Sequence, residues 1–179
     1  MEEYYTLEVA GLTRRLKRYA VSDQVDIAAF ILFGDVEITV ACAAELLKKA
    51  PDFDVIFTPE AKSIPLAYEM ARQSGKPYVV ARKGVKVYMS DPIEVEVHSI
   101  TTQKKQLLYV GQEDASLLRG KRALVVDDVI STGESLSAMQ ELTRRAGAEL
   151  AGCCAVLAEG EAKDRKDILY LAELPLFIK

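Results

Sequence analysis

The sequence predicts an α/β protein: a parallel β-sheet flanked by helices, with a small N-terminal cap and a β-ribbon lid. Three observations carry that expectation. From about residue 37 onward, short apolar runs alternate with segments of helical periodicity, which is the β-α-β rhythm of a parallel sheet. One apolar run, Leu124-Val125-Val126, ends in two adjacent carboxylates, Asp127-Asp128, and is followed by a hydroxyl-rich turn and a helix. The first 36 residues do not follow the rhythm.

Taken in order, residues 4–9 alternate like a strand, and the basic run Arg14-Arg15-Leu16-Lys17-Arg18 reads as the surface face of a helix. Residues 1–36 together read as a cap on the sheet, built from chain ends. Residues 37–49 have helical periodicity and stop before Pro51. A short apolar strand at 54–58 leads to a helix at 64–73, for which Gly75 is the stop signal. Strands are expected at 78–81, 105–110 (ending at Gly111), 122–126, 152–157 and 174–178, with a helix at 134–145. Between 82 and 106, Glu94, Glu96 and His98 alternate with Val95 and Val97. This suggests a two-stranded ribbon with one polar face, projecting beyond the sheet as a lid.

The chain of 179 residues, half of them apolar and with a net charge of −4, is expected to fold as one domain with a real core. The negative balance argues against nonspecific nucleic-acid binding, though not against a small anionic ligand held by local cations. The start Met1-Glu2-Glu3-Tyr4-Tyr5 lacks the basic and apolar segments of a signal peptide, and no apolar run approaches a membrane span. Cys42, Cys153 and Cys154 lack zinc-ligand spacing and read as buried thiols of a cytoplasmic protein.

The run from Leu124 to Leu136 holds the chemistry. Open parallel sheets bind ligands at the carboxyl ends of their strands. Asp127 and Asp128 stand at such an end, where adjacent carboxylates repel each other and help no core. A ligand or metal would offset that cost. They point to opposite sides and offer acceptors for sugar hydroxyls. Beyond them, Gly133 permits close backbone approach to an anion. Ser131, Thr132 and Ser135 add hydroxyl donors to the free N–H groups of a helix start. A second reading of the same residues is a capping box, Ser131 with Glu134 three positions on, which would simply start the helix.

Residues 124–136 resemble the signature of the type I phosphoribosyltransferases, in which the motif binds the ribose-5-phosphate part of phosphoribosyl pyrophosphate. The resemblance extends over most of the chain beyond residue 33. Phe57-Thr58-Pro59-Glu60-Ala61-Lys62-Ser63-Ile64-Pro65 looks like the pyrophosphate-loop segment of adenine phosphoribosyltransferases and of archaeal-type hypoxanthine/guanine enzymes. Arg82-Lys83-Gly84 resembles the opening of their flexible loop, and the segment from Glu159 to Arg165 looks closest to the archaeal type.

The resemblance implies transfer of ribose 5-phosphate to a purine, with release of pyrophosphate, Mg2+ as cofactor and a homodimer as the assembly. It implies that Asp127 and Asp128 hold the ribose hydroxyls, directly or through a metal-bound water. Residues 131–135 anchor the 5′-phosphate. Arg82 and Lys83 reach the pyrophosphate with the turn Ala61-Lys62-Ser63, and Val129 packs against the base.

Glu60 reads either as a catalytic neighbour or as a helix-dipole partner. His98, the only histidine, reads as a ribbon residue or an acid/base group. Tyr5, Phe33 and Glu159 are candidates for the base site. Three departures stand out. Lys62-Ser63 replaces a common glycine, Glu134 another, and Ser131 takes the place of an aspartate proposed to act at the purine ring of many 6-oxopurine enzymes. A non-catalytic sensor of phosphoribosyl pyrophosphate is the competing class.

Overall fold

An antiparallel pair opens the chain, β1 (Tyr4–Val9) and β2 (Leu12–Ala20), and β3 (Val25–Ala28) lies on the other side of β2. The structure, a computed structural model, describes residues 3–97 and 106–179. The basic run expected on a helix is therefore a strand. Its alternation buries Leu16 while Arg15 stacks over Tyr4 at 4.6 Å and Lys17 reaches Glu3 at 3.4 Å. A five-residue run of four basic residues around one leucine has no distinguishing period, so pairing with β1 decided its conformation.

The parallel rhythm follows as expected. Helix α1 (Val36–Lys49) begins at Asp35, whose carboxylate accepts from the amide of Ile38, and ends with Lys48 and Lys49 on its negative pole. Strand β4 (Val55–Pro59) leads to helix α2 (Ile64–Ser74), which ends at Gly75 in the left-handed region, φ 68°. Strand β5 (Tyr78–Ala81) follows. The ribbon is β6 (Ile93–Val97) paired antiparallel with β7 (Gln106–Val110). His98, Lys104 and Lys105 lie outside the described residues.

After the ribbon come α3 (Gln112–Leu118), β8 (Arg122–Ile130), α4 (Glu134–Arg145), β9 (Glu149–Glu159), a 3₁₀ turn (Gly160–Asp164), β10 (Leu169–Leu174) and β11 (Phe177–Ile178). Among the described residues the five strands β10-β9-β8-β4-β5, in that order, form the parallel sheet.

Alternate residues of these strands feed two apolar layers. Phe57, Val125 and Ala155 face α3, α4 and the ribbon; Ile56, Leu124, Val126 and Val156 face α1, α2 and the N-terminal sheet.

Three further expectations are corrected. The strand expected to stop at Val126 runs on to Ile130, because β9 lies alongside and pairs Asp127 with Ala155 and Ile130 with Ala158. The single last strand is two. Leu169–Leu174 completes the parallel sheet, then Pro175 interrupts the ladder and Phe177–Ile178 crosses to pair with β3. The described part of the ribbon does not project: Val95, Val97 and Leu108 are buried against the α4 side, and Arg82 and Tyr109 exchange two backbone hydrogen bonds of 2.8 Å. Helix α3 was not anticipated, since seven residues are too few to show a helical period.

The cap sheet, β1-β2-β3-β11, takes strands from both chain regions. Phe177 meets Tyr5 edge-on at 5.5 Å and lies 3.9 Å under the Arg18 guanidinium, while the Lys179 ammonium pairs with Asp26 at 2.8 Å.

Phe57 is fully buried at the centre of the sheet. Phe57→Ala is expected to lower the unfolding free energy by about 3–5 kcal/mol, measured by urea denaturation.

Candidate active site

The carboxyl ends of β4, β5 and β8 open onto a cleft of about 430 Å³ lined by Pro59 to Ser63, Lys83, Val97, Gln106, Leu108, Asp127 to Val129 and Ser135. A smaller hollow of about 120 Å³, bounded by Asp127 and Val129 to Leu136, adjoins it. Val129, Asp127 and Ser135 line both spaces.

The two carboxylates are held tightly. Asp128 is buried, and its amide donates to Asp127 Oδ1 at 2.8 Å. Burial comes first in pushing the Asp127 carboxyl well above the usual carboxylate range, and the charge of Asp128 adds to it. Asp128 Oδ2 receives no well-directed hydrogen bond among the described residues, but the Lys62 ammonium stands 3.0 Å away. Lys62 is 53 % exposed, so the pair is a weak, reversible latch between the turn after β4 and the end of β8.

That turn is set by its neighbours. The Glu60–Ala61 peptide is cis. Ser63, the N-cap of α2, is buried, and its hydroxyl donates to the Pro59 carbonyl at 2.9 Å and accepts from Thr58 Oγ1 at 2.8 Å. The Ser63 hydroxyl is therefore committed internally, while Ala61, Lys62 and Ser63 line the cleft. Glu60 does not cap the helix. Its Oε2 accepts from the Lys83 amide at 2.9 Å and from Arg82 Nε at 3.3 Å, and that amide is the main reason its carboxyl is lowered. Arg82 also donates to the Tyr88 hydroxyl at 2.8 Å. Lys83 lines the cleft, whereas the Arg82 guanidinium is engaged at its rim.

The turn from Ser131 to Ser135 bounds the smaller hollow. The capping-box reading is corrected here. Helix α4 starts at Gly133 in the left-handed region, φ 83°, with no side-chain cap among the described residues. Ser131 instead bonds the carboxyl of Glu159, the last residue of β9. Burial pushes that carboxyl up, offset by the Ser131 hydroxyl and by the charge of Lys62. Thr132, Gly133 and Glu134 also line a separate space of about 490 Å³ shared with Val95, Glu96 and Arg145. Tyr5 lies elsewhere, on a cleft of about 470 Å³ between the cap and the 3₁₀ turn, and Phe33 is exposed.

One neighbour escaped the sequence reading. A Cβ built on Gly133 would collide with Nη1 of Arg165, whose guanidinium is held by Asp167 at 2.9 and 2.6 Å. The only signal was the left-handed glycine itself, and nothing in sequence spacing ties it to residue 165.

Among the described residues no group of three or more His, Cys, Asp or Glu converges as a metal site. The Asp127–Asp128 pair fits a divalent cation that arrives on phosphate oxygens and keeps its waters, since the pair supplies two carboxylates and an acceptor without a well-directed donor.

Comparison with known proteins follows this geometry. The profile of the phosphoribosyl transferase domain matches residues 38–172. The hypoxanthine/guanine phosphoribosyltransferase of Methanocella arvoryzae is 34 % identical over 146 residues, 81 % of this chain and 70 % of that protein. The one from Methanotorris igneus is 37 % identical over 112 residues, 63 % of this chain and 57 % of that protein. The chain thus spans between about half and 70 % of the length of the curated relatives it matches. The crystal structure of adenine phosphoribosyltransferase from Thermoanaerobacter pseudethanolicus superposes with TM-score 0.71 over 88 % of this chain and 95 % of that chain, at 20 % identity, a likeness of fold.

Asp127→Asn keeps the acceptor for the Asp128 amide and removes the repulsion. A carboxyl with a raised folded-state pKa binds its proton more tightly than in the unfolded chain. Its ionisation therefore costs stability progressively as pH rises from the unfolded value through the raised one. Asp127→Asn is expected to unfold at a higher temperature than the unchanged protein at pH 7, with the gap closing towards pH 4. Melting curves across that range check it.

Proposed function

The chain belongs to the phosphoribosyl transferase family, and from that we propose that it is a purine phosphoribosyltransferase acting in purine salvage. Its single domain joins the ribose 5-phosphate of phosphoribosyl pyrophosphate to a purine base, adenine or hypoxanthine/guanine, and releases pyrophosphate. One observation carries the reading: the carboxylate pair at 127–128, the uncapped turn at 131–135 and the turn at 60–63 converge on one pair of adjoining spaces.

Asp127 and Asp128 take the ribose hydroxyls, and their charge stabilises the cationic character that develops at the anomeric carbon as the pyrophosphate bond lengthens. Ser131, Thr132, Gly133, Glu134 and Ser135 wrap the 5′-phosphate with backbone amides and hydroxyls. Lys62 leaves Asp128 and, with the Ala61–Ser63 backbone, Arg82 and Lys83, meets the pyrophosphate. Glu60 aims the last two through the contacts it already makes. Mg2+ bound to the substrate would neutralise the leaving pyrophosphate, held near Asp127 and Asp128 through substrate or water. Val129 packs on the base, and Glu159 stands at its edge. Closure of the segment after Arg82 keeps water from the anomeric carbon.

No helix among the described residues is long and apolar enough to cross a membrane. We place the protein in the cytoplasm, where Cys42, Cys153 and Cys154 stay reduced, without nucleic-acid or membrane partners. Exposed Val36, Val40, Tyr68 and Tyr78, on α1, α2 and β5, support a homodimer.

The test follows pyrophosphate release from phosphoribosyl pyrophosphate and Mg2+ with adenine, hypoxanthine, guanine, xanthine or uracil in turn. Turnover with a purine, abolished in Asp127→Asn/Asp128→Asn, is the expected result and names the base. Tight substrate binding without turnover on any base would instead favour the sensor, with the Lys62 latch and Glu134 as its cause.

A further inference from the structure

Arg165 belongs to no element of the expected site, yet it touches the most constrained residue of the phosphate turn. It follows the 3₁₀ turn, which continues from β9, and its guanidinium rests against the α-carbon of Gly133, filling the place of a side chain there. Its Nε and Nη2 donate to the two carboxylate oxygens of Asp167 at 2.9 and 2.6 Å, a bidentate pairing that orients the group.

Its position is unusual in sign. A helix N-terminus carries partial positive charge, and a cation beside it is unfavourable unless an anion is close. Here the cation stands at the N-cap of α4, whose first amides lack a side-chain acceptor, and Glu134 adds a carboxylate at the first helical position. Arg165 is not a wall of the small hollow, which is bounded by Asp127 and residues 129–136. It therefore acts on the turn from behind.

We propose that Arg165 is a positioning residue for the 5′-phosphate: its braced guanidinium holds Gly133 in the left-handed turn and, through the turn, raises the affinity of the uncapped amides for a phosphate monoester dianion. This rests on the phosphoribosyltransferase reading and deepens it. Gly133 is favoured by its left-handed backbone angle, and the Arg165 guanidinium lies where a side chain would begin.

The experiment measures, by calorimetry on the full chain, affinity for ribose 5-phosphate and, separately, for pyrophosphate with Mg2+. Arg165→Gln is expected to weaken ribose 5-phosphate about tenfold while leaving pyrophosphate within about twofold, and Arg165→Lys, which keeps the charge without the fork, to recover part of the loss. In turnover the same variant raises KM for phosphoribosyl pyrophosphate and leaves kcat nearly unchanged.

Unchanged ribose 5-phosphate affinity in Arg165→Gln would overturn the proposal. So would equal loss of both ligands with a lowered melting temperature, which marks a purely structural role. Should Arg165→Gln fail to fold, Arg165→Lys decides alone, with an expected loss of about threefold for ribose 5-phosphate only. If the unchanged protein binds neither ligand, the phosphoribosyltransferase reading itself falls, and this inference with it.

Discussion

The rest of the site depends on two like charges held side by side at the end of a buried strand. Strand β8 lies between β4 and β9, and its ladder continues through Asp127 and Asp128 to Ile130. Burial there weakens solvation of both carboxylates, so their repulsion is felt strongly and Asp127 holds its proton well above the ordinary range. A fold that only needed a core would place Val or Ile at these positions. The strain is localised where cationic character or a metal-bearing substrate would relieve it, and in its absence the Lys62 ammonium gives partial relief from across the cleft.

Around that pair the fold arranges opposite charges at graded strength. Lys62 is half-exposed and reaches Asp128 from a turn whose own hydroxyl, on Ser63, is turned inward to hold the backbone. Such a partner separates easily, because solvent competes for an exposed ammonium. Arg82 and Lys83 are tethered through Glu60, which joins the end of β4 to the end of β5 by one amide and one guanidinium contact. Arg165 pairs with Asp167 through Nε and Nη2, and its Nη1 lies against Gly133 rather than facing the cleft.

The cap follows another logic. It takes three strands from the N-terminal region and one from the C-terminal region, and Phe177 is clamped between Tyr5 and Arg18. The chain crosses from β10 to the cap after Pro175, and the two parts share one apolar layer, in which Leu7, Val9, Leu16 and Ala28 pack in the same cluster as Ile56, Leu124 and Val126. A base bound beside Val129 and Glu159 would lie near the seam where these two differently built parts meet.

The parallel layering, helix α4, the Gly75 stop and the carboxylate–turn motif were legible in the chain because each is local. Periodicity, caps and a left-handed glycine act within a few residues. What tertiary structure decided was everything that needed a partner far away in sequence. The basic run at 14–18 became a strand because β1 offered a ladder. Residues 127–130 remained strand because β9 ran beside them, and the 174–178 run divided because β9 and β3 each claimed one end. The Ser131–Glu134 capping box lost to Glu159 and the N-cap at Gly133, and Arg165 joined the site through a contact with Gly133 across 32 residues. Hydrogen-bond donors and acceptors take whichever partner the packed chain brings within reach, and a sequence records the groups but not that distance.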